Sequence, residues 1–296
     1  MNVLKLVVFM VLLFEGLRII LLPSYHTKTI GVIMVSAGYF ILRKTIPPRG
    51  KIKKNRLLPI AGLLVISSDI AYNVFLKKSF EFLGLDWMTI IFGLSLIAYN
   101  LIPLRFEREA RFLVIFTGIF FLSLSMPIGL LTLKVGSKAA ALYMQEFITR
   151  PLTILLNLSG IPAYSIYNWV YYAGREGTIQ LGIGISCSGA YSFAIFFSAF
   201  VSFVQVKYDR FDGKIRYLLI AGLLGTYLAN LLRVYLIALA GFYYGRDALI
   251  YAHQHFGWII FMFWIGLFWY FGFVVFLEEK KLKVVFGSQG VETKKS

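Results

Sequence analysis

The chain has 296 residues, 59% of them hydrophobic, with a mean hydropathy of +0.76 and a formal net charge of +16. Soluble domains are nearer half apolar, so this composition excludes an ordinary soluble enzyme or nucleic-acid-binding domain. A single cysteine also excludes an intrachain disulfide.

Apolar stretches long enough to cross the hydrocarbon core as helices recur along the chain. In order they are 3–22, 28–42 (the shortest), 57–76, 81–102, 112–133, 188–206, 217–241 and 256–277. The first lacks a small-residue cleavage site and is read as a retained helix rather than a signal peptide. Backbone satisfaction in lipid makes a helical bundle the default. The expected fold is therefore an all-α, polytopic membrane bundle of about eight transmembrane helices, forming one integral-membrane domain over 1–296. No internal repeat and no linker marks a second domain.

Basic residues gather in alternate loops, at 43–56, 105–111 and 207–216, and in a tail at 278–296, with Lys5 near the start. The positive-inside rule makes these segments cytoplasmic, with both termini inside. The net charge is then a signal of orientation rather than a nucleic-acid footprint.

Residues 139–158 are apolar too, but carry Glu146, Arg150 and Pro151. The basic loops on either side both belong inside, which requires an even number of crossings between them. The spans at 112–133 and 188–206 already supply these, so 139–158 is expected to be an outer interfacial or re-entrant helix. Tyr164 to Ser186 reads as short extended segments around the turn-like cluster 173–177.

This topology brings separated residues to one layer. Cys187, within Ser186-Cys187-Ser188-Gly189, stands at the outer mouth of the sixth span. Arg233, within Asn230-Leu-Leu-Arg233, lies some 16 residues into the seventh, about 24 Å from its inner end. His253, within His253-Gln-His-Phe-Gly257-Trp258, precedes the eighth. These residue types suit acyl transfer. A thiolate near a cation is a strong nucleophile, and the start of a helix favours an anion. A histidine can take the thiol proton and return it to a leaving amine. An arginine in lipid is costly and marks function; here it can stabilise an oxyanion. Asn230 is one turn before Arg233 and shares its face.

Each residue also has a structural reading. A lone membrane cysteine is a small packing residue, and Ser-Cys-Ser-Gly can be a small-residue helix contact. Arg233 can neutralise the buried acid Asp69 of the third span. His253 can be an interfacial polar group, and His255 competes with it. A polytopic transporter or lipid-binding scaffold, with Arg233 in a permeation or headgroup site, is the alternative function. Against a transporter stand the lack of an inverted repeat or paired broken helices and the grouping of these residues near one surface.

The ordered trio of motifs resembles the exosortase/archaeosortase family of membrane-embedded cysteine transpeptidases. Family members carry Cys-Ser-Gly at the head of one helix, matched by Cys187-Ser188-Gly189. In the next helix they carry Asn-x-x-Arg, matched by Asn230 to Arg233. Many open the following helix with His-x-x-x-Gly-Trp, matched by His253 to Trp258. The resemblance covers about residues 150–275. It implies an enzyme that cuts a C-terminal sorting signal of exported proteins, made of a short motif, a hydrophobic helix and a basic tail. The new carboxyl end would pass to an acceptor, often a lipid. It implies catalytic roles for Cys187, Arg233 and His253, with the spacing to Gly-Trp selecting His253 over His255. Ser188, Gly189, Asn230, His255 and Asp69 are expected as supporting or substrate-binding residues. No cofactor, metal or nucleic acid is expected. The expected location is the cell membrane, with the site on the extracytoplasmic face.

Overall fold

The computed structural model describes residues 3–20, 32–39, 41, 57–77, 84–131, 141–175, 177–184, 187–208 and 211–275. The chain is mostly helical and divides into two compact units. One comprises Met1–Gly136 and Phe197–Asp212, the other Ser137–Phe196 and Gly213–Ser296.

The first unit contains α1 (Val3–Ile20), α2 (32–39), α3 (Leu57–Ala71), α4 (Gly84–Leu101) and α5 (Glu107–Leu131). Its core joins Val8, Val11 and Leu12 of α1 to Val65 of α3, Phe92 and Leu96 of α4, and Val114 and Ile115 of α5. Lipid tails are as apolar as these side chains, so close packing rather than water exclusion must hold such helices together. Small residues provide it. A methyl added at Gly62 of α3 would meet the carbonyl oxygen of Gly93 in α4 at 2.5 Å, and one at Gly93 would meet that of Gly62 at 2.8 Å. The two backbones therefore touch. A polar link adds to this between α4 and α5, where the Ser95 and Thr117 hydroxyls lie 3.0 Å apart.

The described part of the second unit starts with helix at 141–144, which runs through a π-helical turn, Gln145–Thr149, into α6 (Arg150–Leu158). Met144, Ile148, Leu152 and Leu156 recur at every fourth position and are buried, so one stripe of this helix faces the core. The opposite face exposes apolar Leu142, Tyr143, Phe147, Ile154 and Leu158. Strands β1 (Ala163–Ile166), β2 (Trp169–Gly174) and β3 (Gly177–Gly182) form an antiparallel sheet in the order β1-β2-β3. The extended segments expected around 173–177 are the β2–β3 hairpin. Helix α7 (Ala190–Lys207) is shared between the units, and α8 (Gly213–Tyr244) and α9 (Arg246–Trp269) complete the second.

Among the described residues, Leu57–Val74, Ala190–Lys207, Gly213–Tyr244 and Arg246–Gly272 are long and apolar enough to cross a membrane; Asp86–Leu101 is apolar but shorter. Helices also occupy the stretches expected at 3–22, 81–102 and 112–133, and residues 32–39 within 28–42 are helical. The basic segment 43–56 and the tail 278–296 lie outside the described residues.

One boundary differs from expectation. The last span was placed at 256–277 with His253 ahead of it, yet α9 begins at Arg246 and His253 lies inside the helix. The reason is Gly245. It adopts φ +85 and its N–H returns to the carbonyl of Gly241 at 3.0 Å, capping α8. The same residue is the N-cap of α9. Hydropathy locates the apolar part of a helix, not the polar turns that precede it.

The α3–α4 contact carries a prediction. Gly62→Val places branched carbon where Gly93 already stands, an overpacking cost of about 1–3 kcal/mol. The thermal midpoint of the purified protein should fall by several degrees. Gly213→Ala, which meets nothing within 4 Å, should leave it unchanged.

Candidate active site

The sheet is fastened to the end of α8 at two heights. Tyr172 is buried and its hydroxyl donates to the carbonyl of Ala238 at 3.0 Å; the Arg175 N–H donates to the carbonyl of Phe242 at 3.2 Å. Burial pushes the Tyr172 hydroxyl well above its ordinary pKa, so it remains a neutral donor. From Phe242 back to Asn230 along α8 is about 18 Å at 1.5 Å per residue. A six-residue strand spans about 20 Å. Strand β3 can therefore carry the chain from the end of α8 back to the level of Asn230, where Cys187 lies.

Cys187 opens a turn ahead of α7. The N–H groups of Cys187 and Ser188 both donate to the carbonyl of Gly184, at 3.0 Å each. Gly189 follows with φ +82, and its carbonyl accepts from Phe193 N–H at 2.9 Å in the first turn of α7. The Ala190 N–H donates to the Ser188 hydroxyl at 3.3 Å. Cys187, Ser188 and Gly189 are all buried.

Three side chains converge on this turn. His253 of α9 sets its Nδ1 3.4 Å and its Nε2 3.9 Å from Cys187 Sγ. The Asn230 amide of α8 donates to the main-chain carbonyl of Cys187 at 3.1 Å. Arg233 Nη1 donates to Asn230 Oδ1 at a longer 3.4 Å. The guanidinium is thus linked to the thiol's own backbone through one buried amide.

The glycines of the motifs admit these groups. A methyl at Gly189 would come within 2.9 Å of Asn230 Cγ and Nδ2. One at Gly257 would stand 3.2 Å from Arg233 Nε and Nη2. In the sequence Gly257 serves only as a spacing mark for His253; its contact with Arg233 shows in the structure alone. Sequence reasoning passed over Gly184, whose carbonyl anchors the turn.

The structure brings together Cys187, Ser188, Gly189, Asn230, Arg233 and His253. His255 turns aside: its ring stacks on Tyr251 with centroids 4.1 Å apart, and Nδ1 lies 2.9 Å from the Tyr251 carbonyl. Asp69 belongs to the first unit, buried in α3, where the Asn73 amide donates to its main-chain carbonyl at 3.0 Å. Among the described residues no group of three or more His, Cys, Asp or Glu side chains is arranged to hold a metal.

The family model described as transmembrane exosortase (Exosortase_EpsH) matches residues 23–270. This chain belongs to the transmembrane exosortase family. No curated protein and no solved structure matches it. Membership makes the protein a multi-pass membrane enzyme, a cysteine transpeptidase acting on sorting signals. The match takes in all three motifs and reaches well beyond them, into the helices of the first unit.

The exosortase chain has one thiol, so alkylation reports this site alone. The thiolate is the reactive form. With His253 Nδ1 at 3.4 Å from Sγ to take the proton, His253→Ala should slow iodoacetamide labelling near neutral pH by about tenfold. His255→Ala should label at the wild-type rate. Equal rates in all three proteins would mean that His253 does not act on the thiol.

Proposed function

We propose that Cys187, His253 and Arg233 carry out acyl transfer on the C-terminal sorting signal of exported proteins, at the extracytoplasmic face. The observation that supports this best is the Cys187–His253 pair, with Arg233 held beside it through Asn230.

In the first half-reaction the Cys187 proton passes to His253 as Sγ attacks the scissile carbonyl carbon. Negative charge gathers on the carbonyl oxygen, and the Arg233 guanidinium offers donors for it. The C–N bond then breaks. His253 returns the proton to the leaving amine, and the acyl half of the substrate remains as a thioester on Cys187. In the second half-reaction His253 takes a proton from an acceptor amine or hydroxyl, which attacks the thioester and restores the thiol. The acceptor is a lipid or another nucleophile at the membrane surface. Ser188 and Gly189 shape the turn, and Asn230 fixes its carbonyl. For Asp69 the proposal is a supporting role within α3.

The sorting signal is a short motif, a hydrophobic helix and a basic tail. Basic clusters at 43–56, 105–111, 207–216 and 278–296 support a cytoplasmic location for those segments and for both termini. Counted from an inner N-terminus, five of about eight crossings precede Cys187 and leave it outside.

Two experiments bear on chemistry and one on side. Cys187→Ala should abolish processing while the protein still inserts, and Cys187→Ser should be nearly as inactive because a hydroxyl lacks thiolate character. Full processing by the Ala variant would remove the catalytic reading. Arg233→Lys should also fail, by about a hundredfold or more, if a fixed guanidinium fork is needed; a folded Lys variant near full activity would leave Arg233 only a charge. A membrane-impermeant thiol reagent should label Cys187 on intact cells. Labelling only after the cytoplasmic side is opened would reverse the topology.

A further inference from the structure

The two edges of the outer sheet are treated differently. At the β1 edge Asn157 of α6 covers the backbone of Ala163: its amide donates to the Ala163 carbonyl at 3.0 Å, and its oxygen accepts from the Ala163 N–H at 2.9 Å. The β3 edge has no such cover among the described residues. The β2–β3 register pairs Gly174 with Gly177, Tyr172 with Ile179 and Val170 with Leu181. In a two-residue hairpin the closing pair is hydrogen-bonded and bonded pairs alternate. Gly177, Ile179 and Leu181 therefore bond to β2, and the N–H and C=O groups of Thr178, Gln180 and Gly182 point outward. Thr178 and Gln180 are exposed.

Natural sheets guard an open edge with charge, proline or a bulge. β3 reads Gly-Thr-Ile-Gln-Leu-Gly, with no charge and no proline, and its pairing with β2 has no bulge. A strand left bare in this way is a site for adding another. It also leads directly to the thiol: Gly182 precedes Cys187 by five residues, at most about 18 Å of extended chain.

We infer that the β3 edge binds the sorting signal as an added, parallel strand formed by the residues preceding the scissile bond. This rests on the proposed cleavage at Cys187. The direction follows from geometry. A partner running antiparallel to β3 with its scissile carbonyl at Cys187 would lay its leaving half along the strand. That half is the hydrophobic helix, whose backbone groups are already paired internally. Only the acyl half can be extended, and it must run in the same sense as β3, toward Cys187. The substrate then repeats the enzyme's own order of extended segment, junction and apolar helix.

Two consequences follow. The acyl half stays paired to β3 after the thioester forms, while the leaving helix departs and frees the approach for an acceptor. The outer face of β3 also shapes side-chain preference. The Trp169 indole lies across Gly182, so its ring edge would contact an apolar side chain opposite that glycine.

The test uses the full-length membrane protein with a co-expressed exported protein whose processing is lost in Cys187→Ala. Gln180→Pro removes an outward N–H without touching the β2–β3 ladder. It should slow processing by at least about tenfold, while iodoacetamide labels Cys187 at the wild-type rate and so reports an intact site. Gln180→Ala, which keeps the backbone donor, should process faster than Gln180→Pro, so that the loss tracks the N–H rather than the side chain. Wild-type processing by Gln180→Pro would overturn the inference without affecting the role of Cys187.

Cross-linking decides the matter if the proline variant does not fold. Thr178→Cys and Gln180→Cys, each in a Cys187→Ala background, are paired with substrates carrying one cysteine at successive positions before the cleaved bond. Disulfides should form at positions that move two residues toward the bond from the first variant to the second. Movement in the opposite sense, cross-links only beyond the cleaved bond, or none at all would refute the parallel strand.

Discussion

A buried amide on an apolar helix must find partners, and Asn230 finds one in the main chain of Cys187. The group is 4% exposed, and its donor reaches the Cys187 carbonyl at 3.1 Å. Leaving such a donor unsatisfied costs about 1–3 kcal/mol. The bond therefore ties the junction between sheet and membrane helix to one level of α8. Arg233 lies one turn further along the same helix and takes the other end of the amide. Gly189 can approach only because it lacks a side chain. Thiol position, guanidinium position and turn conformation are thus set together.

The α8–α9 pair supplies the remaining coordinate. Its contacts keep register along the hairpin: Gly241 meets Leu249, Arg233 meets Gly257, and Gly225 meets Trp264. The Trp264 indole N–H donates to Thr226 Oγ1 at 3.1 Å, which locks the pair away from the site. His253 is one turn from Gly257 on the same helix, so the contact that makes room for Arg233 also fixes the height of the imidazole. Because His253 lies within α9 and not at its frayed start, its backbone is held on both sides.

Much of this was legible in the sequence. Apolar runs separate the three motifs onto successive elements, and the structure brings their side chains together. The turn cluster at 173–177 revealed the hairpin, because glycine and charge interrupt an apolar stretch there. Other features depend on tertiary contacts that no local pattern carries. Tyr172 reads as one more aromatic, and only its bond to Ala238 distinguishes it. The start of α9 was missed because a positive-φ glycine ends one helix and begins the next with no apolar signal. His253 and His255 differ little in sequence; the stack on Tyr251 separates them in space.

The motif glycines also explain why the site needs more than its polar residues. A cysteine, an arginine and a histidine can be written into many membrane helices. Helices in lipid pack through their backbones, and a long guanidinium between two of them requires a gap. Gly257 creates that gap on α9, opposite the residue that fills it. Gly189 does the same for Asn230 while adopting a backbone angle that other residues rarely accept. In this reading the short motifs are pairs of complementary shapes. The Asn230–Arg233 motif places two polar groups, and a glycine from each of the other two motifs, Gly189 and Gly257, clears the space that one of them occupies.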